Sequence, residues 1–549
     1  MKKIFLGTLF LFTVHFSFGQ SYFIQKDSLR GNLSSERSCF DVNYYALSLA
    51  IDIDNQSISG NNKIYFTVQK SFSLIQLDLN EALLIKKIIN KKGDSLSFYR
   101  NKNSFFVRFN ELQEQGSNSF IQIFYEGKPD IATNPPWDGG FIWTQDSLKR
   151  PWVAVACEGV GASLWWPCKD HPSDEPDSMS MRFEVSNNLF CASNGNLIST
   201  VLTERNTSIY EWKVSYPINI YNITLNIGNY IHFSDTYFRK DSTTLSLDYY
   251  VLSYNKERAK KHFEQVKKML FCYEKLFGKY PYEKDGYALI EAPYWGMEHQ
   301  SGIAYGNQYK NNMVGLDYII VHESGHEWWG NNVSISDHAD LWIHEAFTTY
   351  SETLLLECLY TKELALNYLA TQKKMIKNKE PLLGPYNVNY HYWQDSDMYY
   401  KGAHMLHTLR NSIDNDSLWF SMLYAIQKHF GGKQLNSKEL IDYINTYTKI
   451  DFTSFFHHYL TFTTLPILEY ELIQKEDNQL LSYRWIGVEK NFSFPIHLIL
   501  NNINKIKIYP STDYKSLKLP SNNNKKLVFF NEDDFLIELK QLKTKNYKK

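Results

Sequence analysis

Within Val321–Ser334, "VHESGHEWWGNNVS", His322 and His326 stand four residues apart and Glu323 directly follows the first. On a helix, positions i and i+4 lie one turn apart on the same face, so two imidazoles at this spacing can share one cation. Glu323 falls beside that point, where its carboxylate could take a proton from water. H-E-x-x-H is the pattern of zinc-binding catalytic helices, with the glutamate as general base. Histidine pairs also occur on helices that bind nothing, so a third ligand decides the matter. A catalytic zinc takes three protein ligands and keeps a fourth position open.

Eighteen residues separate His326 from Glu345. The intervening "HADLWIHEAFTTYSE" reads as a second helix. Leu341, Trp342, Ala346, Phe347 and Tyr350 are its apolar residues, and Glu345, Thr348 or Thr349, and Glu352 its polar ones. Alone, Glu345 reads as part of a solvated face. Beside the histidine pair it reads as the third ligand, because a carboxylate among aromatic neighbours is costly to bury without a partner and a cation supplies one. Glu352, seven residues on, lies two turns along the same face. It either accepts the outer N–H of a ligating imidazole or is a surface glutamate.

The elements that must position these groups fall into three textures. From Asp41 to about Phe233 short alternating runs such as "YYALSLAIDID", "KIYFTV" and "SFIQIFYEG" predict an all-β region. "SYNKERAKKHFEQVKKMLFCYEKLFG" then has helical spacing, with Phe263, Val266, Met269, Leu270 and Tyr273 on one side and Gly278 suited to its end. Helical texture continues to about Tyr459, and strands return from Thr463. The fold class expected is multidomain α+β, divided at 21–240, 241–462 and 463–549. An aromatic content of 16% fits the strand-rich portions. Formal net charge is −1, which gives no electrostatic footprint for nucleic acid.

Residues 1–19 combine Lys2 and Lys3 with a short apolar run and small residues at Ser17 and Gly19. They read as a signal peptide cleaved near Gly19/Gln20, for a protein exported to the periplasm or secreted. An uncleaved anchor is the other reading, but the run is short for a span. No later segment is long and apolar enough to cross a membrane as a helix. Six cysteines in 549 residues form no disulfide framework. Cys157 and Cys168 either pair or stay as buried thiols.

H-E-x-x-H, eighteen residues, then Glu345 resembles the gluzincin aminopeptidases of the aminopeptidase N family. That family carries a G-x-M-E-N motif upstream, and "YWGMEHQSGIAYGN" is similar to it, with Trp295 in place of the first glycine and His299 in place of the asparagine. "ACEGVGASLWWPCKDHPSDEPDS" is similar to its E…R…PC.DEP loop, with Glu158 at the acidic position and Ser163 where an arginine is common. "DMYYKGAHMLHTLR" resembles its Y-x-K-G element, which puts the tyrosine at Tyr399. The likeness runs from about residue 40 to 470. It implies a saddle-like N-terminal β domain, a thermolysin-like catalytic domain and, here, a short β-rich C-terminal region.

The resemblance implies one Zn2+ per chain on His322, His326 and Glu345, Glu323 as base, and Tyr399 as oxyanion donor. It also implies Glu158 and Glu298 as ligands of a substrate's α-amine, and Gly296-Met297 as backbone for an added substrate strand. His299 either contacts substrate or packs. The expected function is removal of N-terminal residues from peptides with a free N-terminus. A zinc endopeptidase, an epoxide-hydrolase branch and a non-catalytic peptide-binding homologue are the rival readings.

Overall fold

The computed structural model describes residues 25–389, 393–475, 478–500, 504–519, 528–530 and 533–542. The expected leader lies outside the described residues. "YYALSLAIDID" lies within the strand Phe40–Asp52, whose burial alternates along most of its length, as a sheet with one face on a core requires. This strand is central in a seven-stranded sheet, antiparallel to Ser57–Val68 and parallel to Ser178–Ser186. A four-stranded and a three-stranded sheet complete the β region, and Trp165, Trp166 and Trp212 fill its core.

A five-stranded sheet separates this core from the next. Its order is Tyr230–Phe238, Thr244–Leu252, Tyr287–Glu291, Ile303–Tyr305 and Gly296–Met297. Successive side chains of a strand face opposite ways. Tyr250, Leu252, Ala288 and Ile290 therefore pack into the N-terminal core, while Tyr249, Val251, Tyr287 and Leu289 pack into the second. The expected border at 240 falls in the hairpin between the first two strands of this sheet.

Against the sheet's second face lie the helices. The apolar stripe Phe263, Val266, Met269, Leu270 and Tyr273 is buried, on two helices, Lys256–Phe263 and Gln265–Phe277, rather than one. Gly278, at φ 107°, ends the second, its N–H donated to Glu274 O. Tyr318–Gly325, Trp342–Leu359 and Asp397–Ile413 carry the candidate site. Trp485, Ile496 and Leu498 of the C-terminal strands, with Phe492 and Phe494 of the connection between them, belong to the same core as these helices. The described residues beyond 463 thus share a core with the helices.

A disulfide joins Cys272 to Cys358, tying helix Gln265–Phe277 to helix Trp342–Leu359. Cys39, Cys157, Cys168 and Cys191 are buried thiols. The pairing escaped the sequence reading because its partners are 86 residues apart and share no spacing pattern.

Candidate active site

Asp317 starts the motif helix, its carboxylate accepting from the N–H groups of Ile319 and Ile320. Ile319 through Gly325 are all buried, as expected of an internal helix. The helix ends at Gly325. His326 closes it with φ −63° and ψ −22°, still right-handed helical, so the imidazoles stay one turn apart. Gly330, at φ 132°, turns the chain away.

Nε2 of His322 lies 3.2 Å from Nε2 of His326, and each is 3.5 Å from Oε2 of Glu345. Ligand atoms at tetrahedral corners with bonds of about 2.0–2.1 Å stand about 3.3–3.4 Å apart, so this triangle fits zinc. Oε2 of Glu345 is buried and forms no hydrogen bond of ordinary geometry among the described residues. The donor set of two imidazoles and one carboxylate is also that of catalytic zinc.

The outer nitrogens are fixed. His322 Nδ1 lies 2.8 Å from Glu352 Oε1, and Glu352 Oε2 accepts from Tyr368 Oη and Gln372 Nε2. His326 Nδ1 lies 2.9 Å from Trp329 O and 3.1 Å from Thr348 Oγ1. Both rings therefore donate outward and turn Nε2 inward as acceptors. Of the two readings of Glu352, the structure has the ring-orienting one.

Two connected lobes open on this triangle. One, of about 230 Å3, is lined by Glu323, His322, His326, Tyr318, Ile319 and Trp295. The other, of about 460 Å3, is lined by Tyr221, His338, His344, Trp393, Asp395 and Met398. Glu158, Met297, Glu345 and Tyr399 line both, and among the described residues neither is lined by a lysine or arginine. Glu158, Glu298, Glu323 and Glu345 thus gather around one space. Burial pushes Glu323 up to about 7, and burial with the neighbouring Glu298 carboxylate holds Glu158 well above the usual range. Such a cluster calls for cations, one at the triangle and one near Glu158 and Glu298, which line the smaller lobe together.

Motif glycines let the elements approach. A Cβ on Gly296 would lie 2.6 Å from Glu323 Oε1, so only glycine lets this strand lie against the candidate base. Gly296–Met297 is the last strand of its sheet, leaving one edge open. A Cβ on Gly402 would lie 2.5 Å from Ala346 Cβ, so the Y-x-K-G glycine brings the Tyr399 helix against the helix of Glu345. Lys401 donates to Phe462 O, anchoring the Tyr399 helix to the end of Thr453–Thr461. Burial holds the Tyr399 phenol well above its usual pKa, so it stays a donor.

Several partners escaped the sequence reading. Tyr221 Oη donates to Glu298 Oε1 at 2.8 Å, and Asn331 Nδ2 to Glu298 O at 2.8 Å. Tyr221 is one of 39 tyrosines and carries no motif. Ser163 donates through N–H and Oγ to Asp170, and Arg30 of the helix Gln25–Gly31 reaches the same carboxylate. Arg30 also donates to Gly159 O, beside Glu158, and to Val160 O. A guanidinium from far upstream thus serves the loop in which Ser163 stands. His299 is fully buried, lines neither lobe, and has neither ring nitrogen hydrogen-bonded among the described residues. Of its two readings, packing is the one observed.

Two buried imidazoles, a carboxylate and an adjacent free glutamate on facing helices define a metallohydrolase of the H-E-x-x-H…E type. The chain belongs to peptidase family M1: the "Peptidase M1 N-terminal domain" matches residues 41–221 and the "Peptidase family M1 domain" residues 261–459. It is 23% identical over 326 residues to "Probable aminopeptidase 1" of Sulfurisphaera tokodaii, which covers 56% of this chain and 38% of that protein. It is 22% identical over 439 residues to "Leukotriene A-4 hydrolase" of Xenopus laevis, covering 75% and 69%. The chain spans less than two fifths of the length of the two probable aminopeptidases it matches. An M1 zinc metallopeptidase from Deinococcus radiodurans, solved as a mutant bound to a Tyr-Ser-Ala substrate, shares the fold. Its TM-score is 0.66 at 19% identity, over 78% of this chain and 96% of that one.

Proposed function

We propose that this chain is a zinc-dependent aminopeptidase that hydrolyses the first peptide bond of substrates with a free N-terminus. The observation that carries this reading is the Glu158–Glu298 pair, two carboxylates that line one lobe together with the three-ligand triangle. An endopeptidase has no use for negative charge there. A protonated α-amine satisfies both carboxylates through charge-assisted hydrogen bonds. A blocked amine would leave them unpaired, which is how such a site discriminates.

Bound to His322, His326 and Glu345, zinc would acidify water and polarise the scissile carbonyl. Glu323 takes the proton from the attacking water and passes it to the leaving amine, a task suited to a carboxyl that burial raises above its usual range. Tyr399, held neutral by burial, donates to the carbonyl oxygen as it becomes negative. Glu158 and Glu298 hold the ammonium, and Tyr221 holds Glu298. The open edge of Gly296–Met297 pairs with the substrate backbone as an added strand. The tripeptide bound by the Deinococcus radiodurans neighbour is a ligand of the same class.

Aminoacyl-anilides and their N-acetylated forms test the reading, with chelation and zinc add-back. Free forms alone should be cleaved, and equal cleavage of blocked forms would falsify α-amine recognition. Glu323→Gln should keep its zinc and lose nearly all turnover. Retained turnover would remove Glu323 from its role.

We further propose export, with the leader removed near Gly19/Gln20. The Cys272–Cys358 disulfide supports this, because disulfides persist in oxidising compartments. Among the described residues no helix is long and apolar enough to cross a membrane. N-terminal sequencing of protein recovered from extracytoplasmic fractions is the check, and an intact leader there would refute cleavage.

A further inference from the structure

Two lobes meet at the site, and the position of Glu323 distinguishes them. The leaving amine must come within reach of Glu323, which lines the lobe of about 230 Å3 and not the one of about 460 Å3. Of the two carboxylates that hold the α-amine, Glu158 lines both lobes and Glu298 the smaller one. Glu158 at the amine and Tyr399 at the carbonyl both line the larger lobe. The side chain of the first residue, branching between amine and carbonyl, enters the larger one.

The larger lobe has a definite chemistry. Trp137, Trp393, Tyr221, Met297 and Met398 form apolar and aromatic walls. Among the described residues its carboxylates are Glu158, Glu345 and Asp395, and no lysine or arginine lines it. Glu345 serves the metal triangle and Glu158 the α-amine, which leaves Asp395. The Asp395 carboxylate accepts from the backbone N–H groups of Lys379 and Asp397 and forms no ion pair among the described residues. His344 lines the same lobe at 1% exposure, and neither ring nitrogen has a hydrogen-bond partner among the described residues. A buried imidazole without a partner is costly, so its acceptor nitrogen asks for an N–H from whatever fills the lobe.

We propose that this lobe selects a large basic first residue, arginine or lysine, and rejects aspartate and glutamate, with His344 and Asp395 as the selecting groups. The proposal rests on the aminopeptidase reading above and names the substrate class of that site. An arginine side chain brings N–H donors for His344 and a positive charge for Asp395. Its guanidinium plane stacks on tryptophan faces such as those of Trp137 and Trp393. An acidic side chain brings a further negative charge to a lobe that no described lysine or arginine lines. One uncompensated like-charge pair about 6 Å apart, at an effective dielectric near 20, costs about 100-fold in binding.

Arginyl-, lysyl-, leucyl-, alanyl- and glutamyl-anilides, given to the zinc-loaded full chain, test the proposal. The expected kcat/KM for arginine and lysine exceeds that for glutamate by about 100-fold and that for alanine by about 10-fold. Asp395→Asn and His344→Leu should each lower the arginine-to-leucine ratio by about 10-fold. Glutamate within threefold of arginine, or a ratio that neither variant moves, overturns the proposal. Should no anilide turn over, calorimetry of zinc-loaded Glu323→Gln with L-argininamide and L-glutamic acid α-amide decides. Preference for argininamide would then sustain the lobe's selectivity and count against the aminopeptidase reading alone. Absence of preference would overturn the lobe proposal.

Discussion

Gly296→Ala adds one methyl group against the proposed base. The new Cβ would stand 2.6 Å from Glu323 Oε1, 2.7 Å from Ile319 Cγ2 and 2.9 Å from Glu323 Cγ. Carbon atoms in ordinary contact are about 3.5–4.0 Å apart, so roughly 1 Å must be found. Ile319 is buried on the motif helix, whose start is fixed by Asp317, and has little room to retreat. Either the Glu323 carboxylate swings away or the Gly296–Met297 strand lifts off. Both outcomes displace a group that must meet substrate.

A misplacement of about 1 Å costs on the order of 100-fold in rate. Overpacking of this kind also costs about 1–3 kcal/mol of stability. The expected result is a kcat on an aminoacyl-anilide lowered by about 100-fold, with zinc content unchanged, because the methyl group's three nearest contacts are to Glu323 and Ile319 and not to a ligand. Turnover, chelator titration of bound metal and thermal unfolding on one preparation separate these effects. Turnover within threefold of wild type would refute the idea that the glycine holds the base in place. A loss of turnover explained by lost zinc would refute it too.

Other expectations can be checked with simpler measurements. Glu352→Gln should weaken zinc binding about 10- to 100-fold, read by chelator competition, since Glu352 orients His322. Cys272→Ser should lower stability by about 2–5 kcal/mol, since the disulfide closes a loop of 86 residues. Reductant should then shift the unfolding of wild type and leave the variant unmoved. Burial lowers His404 from its ordinary value to about 4, so the unfolded chain binds the proton more tightly between about pH 6.5 and 4. Its contribution is present above 6.5 and lost as pH falls through 4, at most about 3 kcal/mol. His404→Gln should flatten that part of a stability-against-pH curve.

The metal end of the site was legible in the sequence because helices convert spacing into direction. His322, Glu323 and His326 fall within five residues at the end of one helix, and Glu345 follows at a fixed separation on the next. Tyr399 was reachable only through the Y-x-K-G likeness, since nothing in its own neighbourhood distinguishes it from the chain's other tyrosines. Glu352 had two readings because a helix face does not say whether it is covered. Tyr368 and Gln372, from a different helix, cover it. Tyr221, Asn331, Arg30 and the Cys272–Cys358 bond were not legible. Each acts on a partner that tertiary packing alone brings near, and none sits at an informative spacing from it. The five-stranded sheet blurred the expected border for a related reason. Its strands serve two cores at once, so no change of texture marks where one ends.

The two chemical tasks of the site are divided between the two cores. The metal triangle is built wholly from helices of the second core, whereas Glu158 and Tyr221 come from the β region. They meet Glu298 just beyond the edge strand Gly296–Met297. Ala154, Ala156, Ala292, Tyr294, Met297 and Ala304 make a small separate apolar cluster at that junction. Four of its six members are alanines, small enough for the strands to approach closely. Metal binding can therefore survive a shift between the two regions that α-amine recognition cannot. A change confined to this junction should raise KM for free-amine substrates while leaving zinc affinity alone. The Glu158 loop depends in turn on Arg30, so the helix just after the proposed cleavage point also supports the amine-binding end.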